Sequence, residues 1–401
     1  MRFGIDRLST CGALCARLRG ARVGVLCHAA SVDSDLVHLR TALGALGIAP
    51  RLWLAPEHGL AGAAQDMATI GDARDRTGAP VVSLYGSRFE DLSPRPEHLA
   101  ELDVLLIDLC DVGSRYYTFV WTALLALRAC ARAPAPVHVV VLDRPNPLGG
   151  VAFEGRTQAP GFCSFVGLEP LPVRHGLTVG ELLVHFARRD GLPLGPDGAL
   201  SVVPVEGWSR ASLAHDWGRP FVLPSPNMPT PDTALVYPGG CLLEGTNLSE
   251  GRGHTRPFEV FGAPWLDGEA LARDFHALGL PGCRARPLEF QPTFHKHAGL
   301  VCGGIELHPT CREAFRPVAS YVALIALAAR QSPAHFRFRT ERYEFVDDIP
   351  AFDLLTGSEE ARAAILRGDE PLAIAESTSA FDPGHAELVR AASALAATAA
   401  W

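Results

Sequence analysis

The chain has 401 residues, 48% hydrophobic and 20% charged, a globular composition with apolar material for about two domains of roughly 150–200 residues each. A formal net charge of −8, with both signs scattered along the sequence, argues against a nucleic-acid partner, because phosphate-backbone binding needs a concentrated basic face. No apolar run reaches the length of a membrane-spanning helix, and the stretch from Arg2 to Arg22, broken by Asp6, Arg7, Arg17 and Arg19, has no signal-peptide core, so a cytoplasmic protein is expected.

In chain order, Arg22–His28 reads as a buried strand, because a short run rich in Val and Leu is bounded by polar residues. Asp33 or Ser34 is expected to cap a helix reaching about Leu46, with Gly47 as its stop. Arg51–Ala55, Val81–Tyr85, Val104–Asp108 and Val137–Asp143 predict four more strands. Thr118–Arg132 is apolar at helical spacing, with Trp121, Leu124, Leu125 and Arg128 on neighbouring turns. This alternation implies right-handed crossovers and an α/β fold with a mostly parallel sheet.

After Gly150 the pattern loosens. Thr178–Arg188 predicts a helix capped by Thr178, with Glu181 in its first turn, and Ser201–Val205 a short strand. Residues 220–240 are rich in proline, with Pro224-Ser225-Pro226-Asn227-Met228-Pro229 at the centre, so neither helix nor inner strand is expected there. The domain boundary is placed in this segment, giving 1–223 and 224–401. Beyond it, a Gly-rich loop (Glu244–Pro264), a helix near Gly268–Leu278, strands near Ala285–Phe290 and Leu300–Leu307, and an Ala-rich helix to about Arg330 predict a smaller α+β domain.

In a parallel sheet the carboxyl ends of the strands share one edge, and ligands bind in the crevice there. The strands of this chain deliver Glu57-His58-Gly59, Asp108 through Arg115, and Asp143-Arg144-Pro145-Asn146 to that edge, so an enzyme is the leading reading. Familiar cofactor signatures are missing. Ala29-Ala30-Ser31 stands where a GxGxxG turn would follow the first strand, and neither GxxxxGK[ST] nor GxSxG occurs. His295-Lys296-His297 lacks a third partner at metal spacing, so no cofactor and no metal are expected. The ten cysteines form no CxxC pair and read as reduced, mostly buried thiols. What remains is carboxylates, arginines, amides and aromatics, a set suited to sugar recognition and acid/base hydrolysis.

Each candidate has a structural alternative. Glu57, at a turn that Gly59 permits, either projects an acid into the crevice or caps the turn. A catalytic acid there needs desolvation or a neighbouring like charge. Asp108, Asp111 and Arg115 either bind substrate, with Tyr116 or Tyr117 as a flat surface for a sugar ring, or form an internal Asp–Arg pair that fixes the loop. Asp143, Arg144 and Asn146 hold polar groups on a proline-stiffened strand end, or Asp143 caps backbone amides. Arg174 and His175 precede a helix N-terminus, which attracts anions. Glu244–Gly253 reads either as a lid carrying Glu244, Asn247 and Arg252 into an inter-domain cleft or as a solvated surface loop.

With these residues assembled, the chain resembles the exo-β-N-acetylmuramidase (NamZ) family. The matching segments are PEHG (Pro56–Gly59), DVGSRYYTF (Asp111–Phe119), DRPNPLGG (Asp143–Gly150), RHGLTVGE (Arg174–Glu181), PSPNMP (Pro224–Pro229), EGTNLSEGRG (Glu244–Gly253), RPFEVFGAPW (Arg256–Trp265) and YEFVDDIPAFDLLTGS (Tyr343–Ser358). The resemblance implies release of terminal, non-reducing N-acetylmuramic acid from peptidoglycan fragments, in the service of wall-sugar recycling. It also implies a Rossmann-like catalytic domain, a smaller C-terminal domain and an active site between them.

Under that implication Glu57 is the general acid/base, and Asp111, Glu244 or Asp108, in that order, is the second group. N-acetyl assistance from the substrate, with Asp111 orienting the amide, is the alternative. Arg115, Arg174 or Arg252 meets the lactyl carboxylate, and His58, Tyr116, Tyr117, Asp143, Arg144, Asn146, His175, Asn227 and Asn247 complete the substrate contacts. Cys110 stands where the family usually has Gln, and His254 where it usually has Thr. Two other readings stay open: a non-catalytic two-domain carbohydrate-binding protein, and a nucleotide-dependent α/β enzyme.

Overall fold

The structure is a computed structural model that describes residues 1–62, 64, 65, 73–75 and 78–401. Among the described residues the first sheet has seven strands: β1 (Val23–Cys27), β2 (Leu52–Ala55), β3 (Ala73–Arg74), β4 (Pro80–Ser83), β5 (Val104–Asp108), β6 (His138–Leu142) and β7 (Leu200–Val203). Their order is β3-β4-β2-β1-β5-β6-β7, and only β3 is antiparallel to its neighbour. The chain winds outward from β1 in one direction and then returns to cross to its other side. The order therefore reverses between β1 and β5, the place where a doubly wound sheet opens its ligand crevice.

The central strands are buried along their whole length because helices cover both faces, which is why they appear in sequence as unbroken apolar runs. The helix Phe119–Arg132, with Thr118 at its N-cap, buries Phe119, Trp121, Leu124 and Leu127, while Arg128 reaches out to Glu169 and Asp190 at 2.6 and 2.7 Å. The next helix, Val179–Arg189, begins with a capping box. Thr178 Oγ1 accepts from the Glu181 amide at 3.1 Å, and Glu181 Oε2 accepts from the Thr178 amide at 3.0 Å. Thr178 also donates to Asp143 Oδ2 at 2.7 Å, joining the helix start to the end of β6. Replacing Thr178 by Ala is expected to cost about 1–2 kcal/mol in urea unfolding, because both bonds are lost at once.

A three-stranded antiparallel sheet, β8 (Val260–Ala263), β10 (Cys302–Pro309) and β9 (Cys283–Phe290), forms the second unit with the helices Gly268–Ala277 and Pro317–Gln331. Four further helices close the chain: Ala351–Thr356, Glu360–Arg367, Pro371–Ser379 and His385–Thr398. The last of these returns to the first sheet, where Ala400 bridges Val202 on the edge strand β7.

Three local expectations are corrected. Asp33 does not cap a helix; its Oδ1 accepts from the amides of Asp35 and Val37 in a turn, and the helix starts later, at Leu39, capped by His38. Residues 220–240 are not wholly irregular, since Pro231–Gly240 is helical. Pro231 occupies the first turn, where its missing N–H costs nothing, Thr230 caps it, and Pro238 falls close to the end. The Glu244–Gly253 segment is not a solvated surface loop: Thr246, Ser249 and Glu250 are almost wholly buried, and Arg252 nearly so.

Candidate active site

A cleft of about 480 Å³ collects residues from both units. From the first come Glu57, His58, Tyr116, Tyr117 and Thr118; from the proline-rich segment come Asn227 and Tyr237, and from beyond it Glu244, Arg252, Tyr343 and Glu344. Glu57 is 6% exposed, and its Oε2 accepts a hydrogen bond from the Thr118 hydroxyl at 2.8 Å. The turn that presents it is held open by two consecutive left-handed residues, His58 (φ 68°) and Gly59 (φ 76°). Glycine takes that conformation freely, but histidine does so at a cost of about 1–2 kcal/mol. His58 is fixed there by Nδ1 against the Ala64 carbonyl at 2.8 Å and by the edge of Phe119.

Facing them, Glu244 is held by both oxygens. Arg252 Nη2 donates to Oε1 at 2.6 Å and the Tyr343 hydroxyl to Oε2 at 2.7 Å. Arg252 continues the chain of charge to Glu250 at 3.2 Å, which in turn meets Lys296 at 2.9 Å and His295 at 3.0 Å. Burial pushes the Glu250 carboxyl up, but Lys296, His295 and Arg252 together pull it well below the usual carboxylate range. A group depressed in this way adds stability that is fully present above about pH 5 and is lost progressively as the pH falls below about 4 toward the depressed folded value. The urea midpoint of the wild-type protein should thus fall more steeply below about pH 4 than that of Glu250→Gln.

Of the other candidates, Tyr116 and Tyr117 line the cleft as aromatic walls, with Tyr117 packed on Phe119 and Tyr237. Asn227 lines it too, donating to Gln65 at 2.9 Å. Asp111 and Arg144 line a neighbouring pocket instead. Asp108 lies wholly buried in a two-pronged ion pair with Arg144, whose Nη2 meets Oδ2 at 2.9 Å. The expected Asp–Arg pair therefore exists, with Arg144 rather than Arg115 as the cation.

Arg115 points inward: its guanidinium donates to the main-chain carbonyls of Arg156, Leu171 and Leu355, and burial pulls it down to about 10. Asp143 caps amides, accepting from Gly180 at 2.8 Å and Arg144 at 3.0 Å, and burial raises it to about 7. Asn146 spans Leu177 and Leu148 of the main chain, pressed so closely by Gly113 that a Cβ there would meet its Oδ1 at 2.2 Å. Arg174 donates to the Leu148 carbonyl and His175 lies 3.5 Å from Asp111, both away from the cleft. Asn247 ties its loop to His335 and Arg337. Of the two departures from the family pattern, Cys110 lines the neighbouring pocket and His254 packs edge-on against Phe290.

The sequence reading omitted Tyr343 and Glu344. They sit at a tight two-residue turn closed by reciprocal bonds between Tyr343 and Val346, each 3.0 Å, with Glu344 (φ 45°) and Phe345 (φ 69°) both left-handed. Such turns favour Asn-Gly, so two bulky residues here mark strain kept at a site. Glu344 is 6% exposed and accepts from the Tyr85 hydroxyl at 3.1 Å. Its signal in sequence is faint: an acid between two aromatics.

Among the described residues no group of three or more His, Cys, Asp or Glu is arranged to hold a metal ion, and no helix is long and apolar enough to cross a membrane. Comparison with known proteins gives concordant matches. The peptidoglycan β-N-acetylmuramidase NamZ of Bacillus subtilis (strain 168) is 39% identical over 357 residues, covering 88% of this chain and 81% of that protein. A crystal structure of a DUF1343 family protein from Bacteroides fragilis NCTC 9343 superposes with a TM-score of 0.82 at 28% identity, covering 99% of this chain and 97% of that one. A second DUF1343 structure from the same organism, at 23% identity and a TM-score of 0.72 over 100% and 98% of the two chains, shares the fold. The family models of the exo-β-N-acetylmuramidase NamZ N-terminal and C-terminal regions match residues 23–232 and 235–381, and the chain belongs to the NamZ family.

Proposed function

We infer that the chain is an exo-acting glycoside hydrolase that releases terminal N-acetylmuramic acid from peptidoglycan fragments. Family membership over nearly the whole chain supports the activity. The observation that carries the chemistry is the meeting of Glu57 and Glu244, from different units, in one aromatic-walled cleft.

Hydrolysing a glycoside requires a proton for the departing oxygen and a second group for the oxocarbenium-like centre. Glu57 is the proton donor. Glu244 is the second group in preference to Asp111 and Asp108, because it alone of the three lines the cleft with Glu57, and Arg252 and Tyr343 hold both its oxygens in place. Arg252, already shared by Glu244 and Glu250, is the guanidinium among the described residues lining the cleft and the partner assigned to the lactyl carboxylate, Arg115 and Arg174 being directed elsewhere.

Product formation from a chromogenic muramide, without added metal or nucleotide, tests the reading; binding without turnover would replace it by the carbohydrate-binding alternative. Exchanging the terminal muramic acid for N-acetylglucosamine should raise KM about tenfold or more if a guanidinium reads the lactyl group. Equal kinetics would reject that assignment.

We also take 1–223 and 224–401 as the two domains, with the final helix crossing back to the first. A reducing, cytoplasmic compartment accords with ten unbridged thiols.

A further inference from the structure

His295-Lys296-His297, whose spacing fits no metal site, lies in the loop joining β9 to β10 and closes on the segment that carries Glu244 and Arg252. Lys296 Nζ donates to the Leu243 and Leu248 carbonyls at 2.9 and 3.1 Å and meets Glu250 Oε2 at 2.9 Å. His297 Nε2 lies 2.7 Å from the Asn247 carbonyl. Thr293 donates to the Gly253 carbonyl through its amide at 3.1 Å and its hydroxyl at 2.9 Å. Both histidines are left-handed, with φ of 68° and 58°, a conformation that such residues keep only where their surroundings impose it.

Glu250 has no exposed side-chain surface, and its oxygens are divided. Oε2 faces Lys296, while Oε1 is shared by His295 Nδ1 at 3.0 Å and Arg252 Nε at 3.2 Å. At its other end Arg252 donates to Glu244 through Nη2. Burial alone would raise the Glu250 carboxyl, yet Lys296, His295 and Arg252 keep it ionised. With His295 neutral, Glu244 and Glu250 balance Arg252 and Lys296. With His295 protonated, a third cation draws on Oε1, and Arg252 has positive charge left to offer an anion in the cleft. The His295 side chain is 32% exposed, so it exchanges protons with solvent while Glu250 does not.

Other titratable groups near this row of charges stay out of the exchange. Burial keeps Cys241, Tyr237 and Tyr343 protonated, and His254 turns to Phe290. We propose that His295 is a positioning residue for recognition of the acidic sugar: its protonation engages Glu250 and turns the charge of Arg252 toward the lactyl carboxylate. The proposal rests on the muramidase reading and on Arg252 as the carboxylate's partner. An anion held by Arg252 favours the imidazolium, so by reciprocity the proton tightens binding of the anion. Affinity therefore falls as the pH rises through about 5–8, where histidine gives up its charge. A sugar without a carboxylate gains nothing from the proton.

The test titrates the whole protein with free N-acetylmuramic acid by calorimetry at about pH 5.5 and pH 8.5, values between which the sugar's own carboxylate stays ionised. N-acetylglucosamine is the uncharged control. The wild-type Kd for N-acetylmuramic acid should rise about three- to tenfold from the lower pH to the higher, and that for the control should not. His295→Gln should bind weakly at both pH values and His295→Arg, permanently charged, tightly at both. Each replacement still donates to Glu250, so the loop contact is kept. A pH dependence that persists in His295→Gln belongs to His58, the histidine that lines the cleft, and overturns the proposal. It is equally overturned by His295→Arg binding as weakly as His295→Gln, by an equal pH dependence for the control, or by no saturable binding of N-acetylmuramic acid. Binding needs no turnover, so failure of the muramidase reading is seen separately, as wild-type protein that binds the sugar but releases none from a chromogenic muramide.

Discussion

Glu57→Gln should lower kcat on a chromogenic muramide by roughly 10²–10⁴-fold, the usual contribution of a positioned general acid. The substitution is nearly isosteric, and the amide oxygen can still accept from the Thr118 hydroxyl that now meets Oε2 at 2.8 Å. The turn at His58-Gly59 and the helix start at Thr118 are thereby preserved, so unfolding midpoint and KM should change little. What is lost is the proton alone. Parallel measurement of kcat, KM and thermal midpoint makes the attribution: a matching fall in stability would point to structure, and near-normal turnover would remove Glu57 from the reaction.

Asp108→Asn should produce the opposite pattern, a loss of about 3–5 kcal/mol in urea unfolding with kcat retained by the folded protein. Asp108 is wholly buried, its carboxylate meets Nε and Nη2 of Arg144, and its main-chain oxygen accepts from Ser31 at 2.7 Å. Removing the charge strands a buried guanidinium that burial alone would depress and that Asp108 holds well above the ordinary arginine range. Burial is the larger influence, so an uncompensated Arg144 destabilises strongly. A fall in kcat without a fall in stability would return Asp108 to the chemistry.

The sheet was legible because each central strand is covered on both faces and so is written as an apolar run, as in Val104–Asp108. Glu57 was legible for a related reason: the end of a strand is a fixed place, and a Pro-Glu-His-Gly turn there has one edge to face. Direction was harder to read. Arg115 looks like a substrate clamp in sequence, yet it serves carbonyls 56 and 240 positions away, and no local pattern announces such partners. That Glu244 lines one cleft with Glu57 was equally hidden, since it depends on how the two units pack. Glu344 was illegible because its position comes from a left-handed turn made by residues that seldom adopt one.

The bridge from Ala400 to Val202 has a consequence for synthesis. Trp401 reaches Ser201 across 200 residues of sequence. At about 5–20 residues per second, a ribosome needs roughly 10–40 s after making β7 to supply the segment that shields its outer edge. During that interval the nascent sheet carries an open strand, a template for pairing with other chains.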